Sequence, residues 1–77
     1  MTQAELLTKL ETIRRERGWT QERMAQELGC SRGLYAGTKG LKNPLRHKLT
    51  SAIMRRFPEL RGDVTLFLTG NTDDSVS

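Results

Sequence analysis

Residues 20–44 read TQERMAQELGCSRGLYAGTKGLKNP, a string that encodes two short helices with almost nothing between them. Thr20 is an N-cap and Gln21–Leu28 is the helix it opens. Trp19 and Met24 stand just before the cap and four residues after it, where apolar side chains close over a helix start. Met24, Ala25 and Leu28 supply the buried face, and Gly29 the left-handed residue that ends the helix. Ser31 follows at once as another cap, with Cys30 and Tyr35 in the same flanking positions. Two helices joined by so tight a turn must cross at a large angle, a helix-turn-helix arrangement.

Helix signals continue on both sides of this segment, and strand signals are almost absent. Thr2 with Glu5 makes a capping box, and Met1 and Leu6 staple the same helix start. Leu6, Leu10 and Ile13, with Leu7 beside them, line one face of a first helix that Gly18 stops near Arg17. After a basic loop over residues 40–43, Asn43 is expected to cap a fourth helix with Pro44 at its first position. Leu45, Leu49, Ala52, Ile53 and Phe57 form its apolar stripe, and Pro58 ends it. Asp63 is expected to cap a last short helix over 64–69 that Gly70 closes. The remainder, NTDDSVS, reads as a disordered polar tail. The expectation is therefore an all-α, compact five-helix domain over residues 1–69 with a tail over 70–77.

The length of 77 residues excludes more than one domain. A chain this short shields only roughly 60% of the surface its unfolded form exposes, so a deep catalytic cavity beside a second module does not fit. Leu, Ile, Val and Phe make up 17 of the 77 residues, enough for one small core. The single cysteine, Cys30, excludes a disulfide framework and a thiolate zinc site. The single histidine, His47, removes most other metal constellations. No apolar run approaches a membrane span, and the first 20 residues lack the apolar block of a signal peptide. A soluble, intracellular protein is the economical expectation, with no cofactor, metal or small-molecule ligand. No acid–base pair or nucleophile–base set points to an enzyme.

Charge points to a partner. The net charge is +4, unevenly spread. Between Glu27 and Glu59 there is no acid, while Arg32, Lys39, Lys42, Arg46, Lys48, Arg55 and Arg56 all fall there. Such a field suits a ligand carrying many phosphates, although a solvated basic face has the same composition.

The quoted segment resembles the helix-turn-helix of the phage repressor and Cro family of DNA-binding regulators. The matching positions are Gln21 opening the first motif helix, Ala25 at the crossing, and Leu28-Gly29 at the turn. Cys30 stands where a small apolar residue is usual, Ser31-Arg32 open the recognition helix, and Asn43-Pro44 start the next one. The stretch FPELRGDVTLFLTGN is also similar to the end of repressor N-terminal domains, so the resemblance spans roughly residues 4–70.

The resemblance implies a lambda-repressor-like fold and double-stranded DNA as partner. It implies a homodimer on an inverted-repeat operator, acting as a cytoplasmic, nucleoid-associated transcriptional repressor or controller of prokaryote or phage type. Gln21 would hold a backbone phosphate at a positive helix end. Ser31 and Arg32 would meet base edges, Arg32 as a bidentate guanine contact, with Gly33 and Ala36 on the same face. Lys39, Lys42 and Asn43 would run beside the phosphates. Arg14, Arg15 and Arg17 would either join them or simply favour the end of the first helix.

Gly33, Ala36, Gly37 and Gly40 occupy the recognition helix where long polar side chains are usual in that family. Either the backbone lies close to the groove and DNA deformability carries part of the specificity, or the helix ends near Gly37. Trp19 and Tyr35 read as core anchors, Cys30 as an apolar filler, and His47 as an exposed neighbour of Arg46 and Lys48. In V-T-L-F-L-T, residues 64–69, apolar side chains point in nearly every direction. Val64 with Phe67 or Leu68 can dock on the core, leaving a dimer interface expected among Leu66, Phe67 and Leu68. The rival from another class is an antitoxin-like protein-interaction module that binds DNA secondarily. Steep salt dependence separates the two, because only contacts to several phosphates produce it.

Overall fold

The computed structural model describes the backbone of residues 1–76 and the side chains of residues 1–69. It is all-helical: α1 (Gln3–Glu16), α2 (Gln21–Leu28), α3 (Arg32–Lys39), α4 (His47–Arg56), a 3-10 turn (Pro58–Leu60) and α5 (Arg61–Val76). The start signals of the first three helices act as their residue types dictate. Thr2 and Glu5 make the reciprocal capping box, the Glu5 amide donating to Thr2 Oγ1 at 3.2 Å and the Thr2 amide to Glu5 Oε1 at 2.9 Å. Thr20 and Ser31 accept from the Arg23 and Leu34 amides, each at 3.0 Å. Gly18 and Gly29 both take positive φ, +68° and +71°. After Gly29 the Cys30 amide reaches back to the Ala25 carbonyl at 2.9 Å, which turns the chain sharply into α3.

α2 packs on both α3 and α4, while α1 packs on α3 and α5. Leu6, Met24, Tyr35, Ile53, Phe57 and Val64 form the fully enclosed centre, and the expected α4 stripe is buried throughout. Ala25, 1% exposed, is small enough for α3 to cross over it. Trp19, half-buried, lies 6.4 Å from the Phe57 ring.

Four expectations need correction. α3 does not end near Gly37 but runs to Lys39, and the positive φ that closes it falls on Leu41 (+64°) rather than on a glycine. The Lys42 amide then bonds to the Gly37 carbonyl at 2.8 Å, so the helix finishes in the usual left-handed turn with the strain carried by a leucine.

Asn43-Pro44 does not open α4, which starts at His47 with Arg46 as a cap that makes no side-chain bond. The reason is Gln3. Its amide nitrogen donates to the carbonyls of Thr38 (3.0 Å) and Asn43 (2.8 Å), and its carbonyl oxygen accepts from the Leu45 amide at 3.0 Å. With those groups bonded to α1, residues 43–45 stay out of the helix and Leu45 plugs into the core.

Asp63 does not cap α5: Arg61 is already helical after the 3-10 turn (φ −56°, ψ −44°), and Asp63 instead pairs with Lys9 at 3.8 Å. Finally, α5 is not closed by Gly70, since glycine weakens a helix interior by roughly 1 kcal/mol without forbidding it. The tail expected over residues 70–77 lies outside the residues whose side chains are described. Among the described residues, no helix is long and apolar enough to cross a membrane.

Candidate nucleic-acid interface

The outer surface of α3 follows from which of its residues the core takes. Tyr35 and Thr38 point inward and are fully enclosed, at 0% exposure. Gly33 and Ala36 are exposed on the opposite side, Gly37 is half-buried, and Gly40 caps the end. Nothing on that outer face is longer than a methyl group. A Cβ on Gly33 would meet open space, whereas one on Gly37 would run into the Asn43 amide. The bare strip is edged by Arg32 on one side and Leu34 on the other, both exposed.

A notch flanks the helix at each edge. The first, about 500 Å³ and wide open, brings together Arg14, Thr20, Gln21, Glu22 and Arg32. Gln21 is the first residue of α2 and Arg32 the first of α3, so two helix N-termini sit beside it, with the positive ends of their dipoles. The second notch, about 430 Å³, lies between α3, the 43–46 segment and the first turn of α4. Arg46 and Lys48 stand on its rim and Lys42 on the loop above.

The expected site residues are not equally available. Ser31 is exposed, but its hydroxyl accepts the Leu34 amide as the cap of α3. Asn43 is half-buried against Gly37 and held through its carbonyl by Gln3. Lys39 is directed to Glu11, its ammonium 3.5 Å from Oε1. Arg56 is likewise bound to Glu27 at 2.5 Å, and Glu27 also holds Arg23 at 2.8 Å. The two guanidiniums keep the Glu27 carboxyl below its usual range. Of the seven basic residues between Glu27 and Glu59, Arg32, Lys42, Arg46, Lys48 and Arg55 enter no ion pair among the described residues. The uncompensated field therefore concentrates on α3, its following loop and α4.

Glu11 is the residue that sequence reasoning missed. It is 5% exposed in a face otherwise made of Leu6, Leu7 and Leu10. Tyr35 Oη donates to its Oε2 at 2.6 Å, and Arg14 donates twice, at 3.0 and 2.9 Å. Burial alone would raise its pKa. The hydrogen bonds from Arg14 and Tyr35, with the charges of Arg14 and Lys39, outweigh that and hold it at about 2. Burial and the Glu11 bond push the Tyr35 hydroxyl the other way. A carboxylate on an apolar helix face, with an arginine three residues later, was the available signal. Arg14 also donates to the Trp19 carbonyl at 2.7 Å, so it braces the fold. Arg17 lies 5.0 Å over the Trp19 ring, which Arg23 and Arg56 also approach.

Cys30 is half-buried, and burial pushes its thiol pKa up, away from reactivity. Among the described residues, no three His, Cys, Asp or Glu side chains converge as a metal site would require. Of the expected dimer residues, Leu66 and Leu68 are exposed at 57% and 41%, but Phe67 is taken into the domain's own core at 7%. Val64 and Phe67 share one side of α5, which leaves Leu66 on the other.

Comparison of the chain with protein families, curated proteins and solved structures returns no match.

Proposed function

We propose that the chain binds double-stranded DNA sequence-specifically, as a homodimeric transcriptional regulator of repressor or controller type. The observation that carries this reading is the form of α3: an exposed helix whose outer face lacks long side chains, with Arg32 at one edge and Lys42, Arg46 and Lys48 beyond the other. An α-helix is the element that B-DNA's major groove admits, and phosphates line both edges of that groove. Gln21 and the α2 N-terminus take a phosphate on one side, and Lys42 with Arg46 take phosphates on the other. Arg32, at the start of α3 and in no ion pair among the described residues, reads a guanine edge in this arrangement. Ser31 and Ala36 make shorter-range contacts, and Gly33 lets the backbone approach. A second copy supplies the second half-site, about 34–36 Å away, through a contact that includes Leu66. Regulation is by occupancy, with no chemistry, and belongs to the nucleoid of a cytoplasm.

Selection of binding sites from a random duplex pool, followed by titrations at several salt concentrations, tests the reading. The expected product is an inverted repeat bound with a steep salt slope. Arg32→Ala then costs about 1–3 kcal/mol and relaxes one base position per half-site, whereas Lys42→Ala weakens all sequences alike and flattens the slope. A pool that yields no preferred sequence, or binding indifferent to salt, overturns it and favours a protein-interaction module.

A further inference from the structure

The side chain of Leu34 stands outside the hydrophobic core. It lies in the middle of α3 with 42% of its surface exposed, while the helix's core-facing positions are filled by Tyr35 and Thr38. Its edge of the helix opens on the second notch, whose buried lining is largely apolar (Leu28, Cys30 and Leu49, beside Thr38) and whose exposed lining carries Arg46 and Lys48. Among the described residues, no acidic side chain lines that notch. A cationic rim selects a polyanion, and an apolar lining selects an uncharged, nonpolar group presented by it.

Resting on the DNA-binding reading above, we infer that Leu34 is a methyl reader: it packs on the C5-methyl group of a thymine in the major groove. Two further observations lead there. Between Arg32 and Leu34 the outer face of α3 bears only Gly33, Ala36 and Gly37, so base edges come close enough to touch a leucine that would otherwise be held off. The same bareness leaves α3 few hydrogen-bonding side chains to tell bases apart, chiefly Arg32 and the hydroxyl of Ser31, which keeps its own O–H while accepting the Leu34 amide. The apolar group that the major groove offers is the thymine methyl; 5-methylcytosine presents the same group at the same ring position.

The test changes the DNA rather than the protein. In the selected operator, each thymine is replaced singly by deoxyuridine, which removes the methyl and keeps every hydrogen-bonding atom. At one position per half-site the wild-type chain is expected to lose about fourfold in affinity, the equivalent of one buried methyl. Leu34→Ala is expected to bind the thymine and uracil duplexes equally, its fold checked by thermal melting. Comparing 5-methylcytosine with cytosine at that position identifies the source: a recurring methyl preference means either base can supply the group, and its absence there means thymine alone does. Specific binding with no uracil-sensitive thymine overturns the inference while leaving the proposed function standing. So does a uracil effect that persists unchanged in Leu34→Ala. Failure to select any sequence removes the proposed function itself, and the inference with it, before uracil is introduced.

Discussion

Replacing Glu11 by Gln keeps the shape of the side chain and removes its charge. In the native fold that charge is surrounded by the Tyr35 hydroxyl, the Arg14 guanidinium and the Lys39 ammonium. A carboxyl lowered from its ordinary 4.5 to about 2 contributes roughly 3 kcal/mol of stability at neutral pH, at about 1.36 kcal/mol per tenfold change in proton affinity. A chain of this size has on the order of 4–12 kcal/mol in total, so Glu11→Gln is expected to lower the melting temperature by roughly 12–24 °C. The pH dependence identifies the cause. Because the folded-state pKa is depressed, the contribution is present in full above the unfolded pKa and is lost as pH falls from about 5 toward 2. Urea unfolding of both chains, followed by circular dichroism across that range, should show a difference of roughly 3 kcal/mol at neutrality that shrinks toward zero in acid. The other carboxyls are common to both chains and cancel. A difference that stays flat with pH, or is below about 0.5 kcal/mol at neutrality, would refute the claim that this carboxylate holds α1 and α3 together.

Gln3→Ala removes three hydrogen bonds to the 38–45 segment and is expected to cost about 1–3 kcal/mol; hydrogen exchange should speed up at the Leu45 amide far more than at Leu28. Gly37→Ala gains helix propensity but displaces the Asn43 amide. It should therefore stabilise an Asn43→Ala chain more than the wild type, by at least about 0.5 kcal/mol in a double-mutant cycle. Additive effects would mean the two residues do not meet. Leu66→Glu should leave a folded chain that sediments as a monomer and loses inverted-repeat binding; a wild type already monomeric at the same concentration would rule out the α5 interface.

Local signals were legible wherever a residue acts on its own helix. Thr2, Thr20 and Ser31 cap within three residues, Gly18 and Gly29 need only their own φ, and the α4 stripe repeats with the helix period. What the sequence hid depends on distant partners. Asn43-Pro44 has every local mark of a helix start, yet Gln3 bonds the backbone on both sides of Pro44 and delays α4 to His47. Lys39 and Arg56 look like free cations in a run without acids, but Glu11 and Glu27 reach them from earlier helices. Phe67 and Leu66 are neighbours with opposite fates, decided by which side of α5 meets α1 and α4. In the candidate site, Arg32 and Lys42 stay where the residue pattern put them, while Lys39, Ser31 and Asn43 are partly engaged by the fold itself.

The Gln3 clamp also bears on the order in which the chain folds. Its three bonds span 35 to 42 residues, whereas each helix and cap forms between near neighbours. Closing so long a loop brings no return until α1 has already docked against α3. The 43–45 segment therefore gains its geometry late, after the helices on either side of it. Substitutions at Gln3 should chiefly accelerate unfolding and leave the folding rate nearly unchanged, marking the lead into α4 as a part of the protein that sets only after α1 has docked.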